Sequence, residues 1–116
     1  KKIDGSILTF EAIHPKWSYA KTDKNNFVTE VAEKKVISKN ATVGIYFWKR
    51  GGDYVKYAEQ MIKKNIRVNN EFYVCPVFNE AILDKKKIII DPVEEMHGLG
   101  TPDDLNNFLN TKQRFI

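Results

Sequence analysis

A single cysteine, Cys75, excludes an internal disulfide and any zinc site built on several thiolates. It lies in an apolar run and reads as a small buried hydrophobe. Two histidines, His14 and His97, stand far apart, with no carboxylate at the spacing of a zinc or iron site. No apolar run is long enough to cross a bilayer; Ile88-Ile89-Ile90 is typical of those present. There is no Gly-x-Ser-x-Gly elbow, and Cys75 has no histidine near it in sequence, so no activated nucleophile is recognisable. Gly51-Gly52 and Gly98-x-Gly100 match neither of the glycine-rich phosphate-loop fingerprints. No metal ligand set and no catalytic residue is assigned. The chain opens on Lys1-Lys2-Ile3-Asp4-Gly5, without methionine or a signal-like apolar stretch, and is expected to be cut from a longer cytoplasmic protein.

Charge of one sign is also scarce. The net charge of +4 comes from 19 basic and 15 acidic residues spread along the chain. Lys63-Lys64 and Lys85-Lys86-Lys87 fall near predicted helix ends, where cations complement the helix dipole. No base-stacking or groove-reading motif accompanies them, so nucleic acid is not an expected partner and neither is a membrane. A mildly positive balance suits small anions such as phosphates.

What is present is one domain's worth of sequence: 116 residues, 42% hydrophobic and 12% aromatic, enough for a modest core. Ile7–Ala12 reads as a strand bounded by Gly5 and Pro15. Ser18–Thr22 and Phe27–Glu33 read as two arms of a hairpin turning at Asp23-Lys24-Asn25-Asn26, with Phe27, Thr29, Val31 and Glu33 on one face. Ala41–Trp48 is apolar almost throughout, the pattern of a strand covered on both faces. Asp53 is the expected N-cap of a helix over Tyr54–Asn65. A second helix is predicted over Phe72–Asp84 with Phe72, Val74, Cys75, Phe78, Ala81 and Ile82 inward and Pro76 in its first turn. Lys87–Asp91 is a further strand. Thr101-Pro102-Asp103-Asp104 is a helix start ahead of a buried stripe of Leu105, Phe108 and Leu109. Strands mixed with helices indicate a layered α/β domain.

Several polar residues sit at the ends of these elements. Glu33-Lys34 closes the hairpin: a carboxylate can accept hydrogen bonds from vicinal sugar hydroxyls and an adjacent ammonium can neutralise a phosphate, while a solvated charge pair is the plainer reading. Gly44 lies inside an apolar strand, where glycine weakens the strand unless a ligand or another strand approaches its backbone. Asn69, Asn70, Glu71 and Tyr73 fit either a hydroxylated ligand or the cap of the second helix, and capping leaves Tyr73 unexplained. Trp17 and Trp48 read as core or edge packing.

Taken in order, Gly5-x-Ile7-Leu8-Thr9-Phe10-x-Ala12-x-His14-Pro15-Lys16-Trp17-Ser18, Glu30-Val31-Ala32-Glu33-Lys34 and Ala41-Thr42-Val43-Gly44-Ile45-Tyr46 resemble segments of the bacterial sugar-phosphate nucleotidyltransferases. Asn69-x-Glu71-Phe72-Tyr73-Val74 and Gly98-x-Gly100-Thr101-Pro102-x-Asp104-Leu105 extend the likeness over nearly the whole chain. The nearest likeness is to the surface-polysaccharide and capsule branch. The resemblance implies a Rossmann-like, glycosyltransferase-A-type fold with a mixed sheet and flanking helices. It implies that residues 1–116 form a single domain matching the C-terminal, sugar-binding half, with the N-terminal nucleotide-binding half absent. It further implies transfer of a nucleotidyl group from a nucleoside triphosphate to a sugar 1-phosphate, with Mg2+ serving the complete enzyme. By the same resemblance Glu33 accepts hydrogen bonds from sugar hydroxyls and Lys34 meets the sugar phosphate. Gly44 lets the sugar approach, Tyr46 lies beside it, and Glu71 and Tyr73 form the pocket wall. Where relatives carry a second metal-binding Asp this chain has Gly98, so no metal is assigned to this half. A non-catalytic binding or assembly module of the same fold is the alternative. An isolated half would expose a sheet edge and an apolar face, so a homodimer or limited stability is expected, which sedimentation would test.

Overall fold

The structure, a computed structural model, describes residues 3–94 and 102–113. Five strands, β1 (Gly5–Glu11), β2 (Ser18–Thr22), β3 (Val28–Glu33), β4 (Asn40–Trp48) and β5 (Ile88–Pro92), form one sheet in the order β3-β2-β4-β1-β5. β1 runs antiparallel to β4 and parallel to β5, which makes the sheet mixed. α1 (Gly51–Lys63) and α2 (Val77–Leu83) carry the chain from β4 to β5, and α3 (Pro102–Gln113) follows. The α/β class with a mixed sheet and flanking helices is as expected.

The β2–β3 turn forms as its composition requires. Asp23 Oδ1 accepts the backbone N–H of Asn25 at 2.8 Å and of Phe27 at 3.0 Å, and Asn26 takes a left-handed φ of 67°. The single shared face expected for Phe27, Thr29, Val31 and Glu33 is not found. The ladder slips between Lys21 and Thr22, so Val28 and Val31, three residues apart, are both buried. Phe27 instead bridges to Ile89 on β5.

The core has two lobes. Ile7, Ala20, Val28, Val31, Cys75, Phe78 and Ile88 form one; Tyr57, Met61, Val77 and Ala81 form the other, between the helices. Trp48 joins them, its indole stacked on Phe78 at 4.3 Å and 12°. Burying these rings and aliphatic chains supplies the main driving force, roughly 1.5–3 kcal/mol for each large side chain. Asn79 on α2 adds a directional tie: its amide donates to Val31 O and its carbonyl accepts from Val31 N, each at 2.8 Å. The outer edge of β3 is thereby satisfied by a side chain that imitates a strand, two residues before Glu33. Gly5 is required by close packing, because a Cβ there would sit 2.7 Å from Phe47 O.

Several boundaries differ from expectation for identifiable reasons. β4 is covered on one face only: Tyr46 and Trp48 point to the core, while Ile45 and Phe47 are 57% and 49% exposed. Apolar content alone does not reveal that one face lacks a partner. α1 starts at Gly51 after Arg50, so Asp53 lies in its first turn rather than capping it. α2 is shorter than the sequence predicts, because Pro76 lacks an N–H and disfavours helical backbone before it; Val74 is consequently exposed. Asn69 and Asn70 do not cap that helix. With φ of 51° and 64° they form the two-residue turn of a small hairpin closed by Val68 and Glu71, whose backbones exchange bonds of 2.9 and 3.0 Å. On α3, Leu105 and Leu109 are about half exposed instead of forming a buried stripe. The glycine-containing segment with His97, Gly98, Gly100 and Thr101 lies outside the described residues.

Candidate functional site

One feature of β4 creates the site. Between Ile7 and Thr9 the β1 strand advances two residues, while β4 advances four, from Thr42 opposite Thr9 to Tyr46 opposite Ile7. The extra residues form a bulge centred on Gly44, whose φ of +96° is a conformation L side chains rarely adopt. The bulge draws the ends of the excursion together, so that the Thr42 and Tyr46 hydroxyls lie 3.2 Å apart. Gly44 therefore serves a bulge, which neither a tight strand crossing nor a ligand alone had suggested.

A cleft of about 310 Å³ opens against this bulge, lined by Lys16, Trp17, Ser18, Glu33, Thr42, Val43, Gly44, Tyr46, Tyr73, Val74 and Cys75. Residues from β2, β3, β4 and the loop before α2 meet there. Of the residues singled out in the sequence, Glu33, Gly44, Tyr46 and Tyr73 line it. Lys34 is exposed at its rim, with a left-handed φ of 57° and its ammonium 5.2 Å from the centre of the Tyr73 ring. Glu71 is elsewhere, exposed in the Val68–Glu71 hairpin. Trp17 is a cleft wall, braced edge-on by Phe10 at 5.2 Å, whereas Trp48 belongs to the core. Tyr19 donates to His14 O at 2.6 Å and His14 Nδ1 accepts the Lys16 N–H at 3.1 Å; these bonds shape the loop that delivers Lys16 and Trp17.

The cleft's polar groups are ordered by one another. The buried Ser18 hydroxyl donates to Glu33 Oε1 at 2.5 Å and fixes one side of the carboxylate. Burial, the negative charge of Glu33 and hydrogen bonding combine at Cys75: the first two push its thiol up to about 12, against a partial pull downward from Tyr46 and Ser18. Burial is also the main reason the Tyr46 phenol is raised well above its ordinary value of 10.0, with Cys75 and Glu33 adding to it. Both groups stay protonated at neutral pH, so neither is a nucleophile. Among the described residues no three His, Cys, Asp or Glu side chains converge as a metal would require. The arrangement can bind and orient a small polar molecule; it has no group poised for covalent chemistry.

Sequence reasoning did not find Lys16, Ser18, Thr42 or Asn79. Each is an ordinary residue type whose role follows from register, and no local signal marks it.

No protein-family model matches the sequence, and no curated protein sequence matches it significantly. Solved structures do. A nucleoside-diphosphate-sugar pyrophosphorylase from Vibrio cholerae RC9 superposes with a TM-score of 0.84 at 27% identity, over 93% of this chain and 47% of that one. The CTP:phosphocholine cytidylyltransferase from Streptococcus pneumoniae gives 0.68 at 10% identity, over 96% of this chain and 49% of its own. A CMP:2-keto-3-deoxy-manno-octonic acid synthetase complexed with CTP gives 0.61 at 12%, over 98% and 51%. The fold is the Rossmann-like nucleotidyltransferase fold. The chain spans about half the length of these structures. No helix of the described residues is long and apolar enough to cross a membrane.

The bulge makes a sharp expectation about glycine. Nothing lies within 4 Å of a Cβ built at Gly44, so Gly44→Ala meets no clash and loses stability through φ alone, by about 1–3 kcal/mol. Gly52→Ala, equally open but within α1, is expected to gain about 0.5–1 kcal/mol. Urea titration of the two variants checks the pair; equal effects would remove the case for a conformational demand at Gly44.

Proposed function

We propose that this chain is the sugar-phosphate-binding half of a nucleotidyltransferase, corresponding to the C-terminal half of such an enzyme. The complete enzyme joins the phosphate oxygen of a sugar 1-phosphate to the α-phosphorus of a nucleoside triphosphate, and the α–β phosphoanhydride bond breaks to release pyrophosphate. The observation that carries this reading is the meeting of Glu33, Ser18, Tyr46 and Tyr73 in one cleft of a nucleotidyltransferase fold. In this reading Glu33 accepts hydrogen bonds from the sugar, and Tyr46 and Tyr73 flank its ring. Lys34 at the rim lies near the phosphate, and Gly44 leaves room beside the bulge.

Phosphoryl transfer of this kind rests on positioning and charge neutralisation, so a half without a nucleophile can still do its share. The Mg2+ expected for the complete enzyme would be held by one or two carboxylates together with the substrate phosphates, and would neutralise their charge. A cytoplasmic, bacterial setting and a product destined for surface polysaccharide belong to the same proposal. The exposed Ile45 and Phe47 give the remaining half, or a second copy, an apolar face to cover.

The test is pyrophosphate release by the complete protein across a panel of nucleoside triphosphates and sugar 1-phosphates. Release is expected only with a matched pair. Silence with every pair would overturn the enzymatic reading.

A further inference from the structure

The two outer strands of the sheet meet at one described bridge. β3 and β5 close opposite ends of the strand order, yet Phe27, just ahead of β3, pairs antiparallel with Ile89 of β5. A groove of about 630 Å³ lies at this seam, about twice the volume of the cleft and within the range of small-molecule sites. It shares no lining residue with the cleft.

The lining is of two kinds. Ile3, Phe27, Ile89 and Ile90 are only partly buried and supply an apolar wall. Lys87, Asn25 and Asn26 supply hydrogen-bond donors. Among the described residues the Lys87 ammonium has no carboxylate within ion-pair distance; it lies 5.8 Å from the centre of the Phe27 ring. Asn25 and Asn26 join the hairpin turn through their backbone N–H groups, and neither side-chain amide has a described partner. No carboxylate of the described residues lines the groove. Asp4 and Asp23, close by in sequence, are engaged by backbone: Asp4 Oδ2 accepts the Lys87 N–H, and Asp23 Oδ1 those of Asn25 and Phe27.

A purely apolar molecule would leave these donors to water, and a small anion would leave the isoleucines wet. A molecule that joins an apolar body to one negative charge satisfies both parts of the lining. We infer that the seam groove is a second ligand site, which takes a small carboxylic acid with an apolar body. Its carboxylate meets Lys87 and the Asn25 and Asn26 amides, and its body lies on Ile3, Ile89 and Ile90. One carboxylate matches the single described ammonium, whereas a phosphate dianion exceeds it. The inference is independent of the sugar-phosphate reading, because a sugar phosphate has no apolar body to place there.

Nuclear magnetic resonance titration of the labelled chain tests it with 2-naphthoate, with 2-naphthalenemethanol as the neutral analogue, and with acetate. 2-Naphthoate is expected to shift the backbone amides of Asn26, Phe27, Lys87 and Ile89. It should bind about fivefold more tightly than the neutral analogue, the scale of an exposed ion pair assisted by an amide hydrogen bond. Acetate should leave these amides unmoved at the same concentration. Lys87→Met keeps an unbranched side chain at an exposed position and should bring the ratio close to one, with unchanged shifts elsewhere showing that the variant is folded. Equal affinities for naphthoate and its neutral analogue in the unmodified chain overturn the inference. Shifts centred on Ile45 and Phe47, or none up to the solubility limit, overturn it as well. Tighter binding of 2-naphthyl phosphate than of 2-naphthoate overturns the choice of a carboxylate.

Discussion

Replacing Glu33 by Gln weakens binding of a sugar 1-phosphate by about tenfold to a hundredfold, the 1.5–3 kcal/mol of a hydrogen bond to a charged acceptor. The change keeps shape and volume and removes only the charge, and Ser18 can still donate to the amide oxygen. Stability should therefore hardly move, and the loss should appear in calorimetric affinity alone. Glu30→Gln, on the exposed side of the same strand, is the control and should leave affinity unchanged. If Glu33 were merely a solvated strand end, the two substitutions would behave alike.

Phe78→Ala acts on the other part of the account. Phe78 is fully buried, stacked on Trp48 and tilted against Tyr46 at 5.6 Å. Removing the ring deletes its transfer free energy and leaves a cavity where the two core lobes meet, together about 3–5 kcal/mol. Domains of this size have about 5–15 kcal/mol in total, so the variant should be marginal at room temperature. Tyr46 would also lose the surface that holds it against Thr42, and the cleft should loosen with the core. Leu83→Ala, at a side chain 72% exposed, should cost almost nothing by comparison. Urea unfolding of the two variants measures the difference; a loss below about 1 kcal/mol for Phe78→Ala would mean that the lobes are not joined as described.

These expectations depend on residues that the sequence reveals unequally. The hairpin turn at Asp23 to Asn26 and the position of β5 follow from local chemistry and form where that chemistry places them. α1, by contrast, starts earlier than its spacing predicts and buries Tyr57 and Met61, while Val55 and Ile62 stay exposed. Glu33, Gly44 and Tyr73 are visible as polar or glycine residues at the ends or inside of elements, Tyr46 is reached only through the family resemblance, and the cleft brings the four together. What stayed hidden depends on the third dimension. The Gly44 bulge is a mismatch between two strands, and neither strand shows it by itself. Asn69-Asn70 carries the same residue types whether it caps a helix or turns a hairpin; only the left-handed backbone of both residues distinguishes them. The exposed face of β4 is invisible because Ile45 and Phe47 look like core residues in any linear reading. Ser18 and Thr42 gain their roles from what stands across the sheet.

Chemical-shift mapping of the isotope-labelled chain with a sugar 1-phosphate tests the central claim most directly. The backbone amides of Ser18, Glu33, Gly44, Tyr46 and Tyr73 are expected to shift together and to saturate at one ligand per chain. The groove on the opposite edge, lined by Phe27, Lys87 and Ile89, should stay still. Shifts confined to that groove, or none at saturating ligand, would contradict the assignment of the cleft.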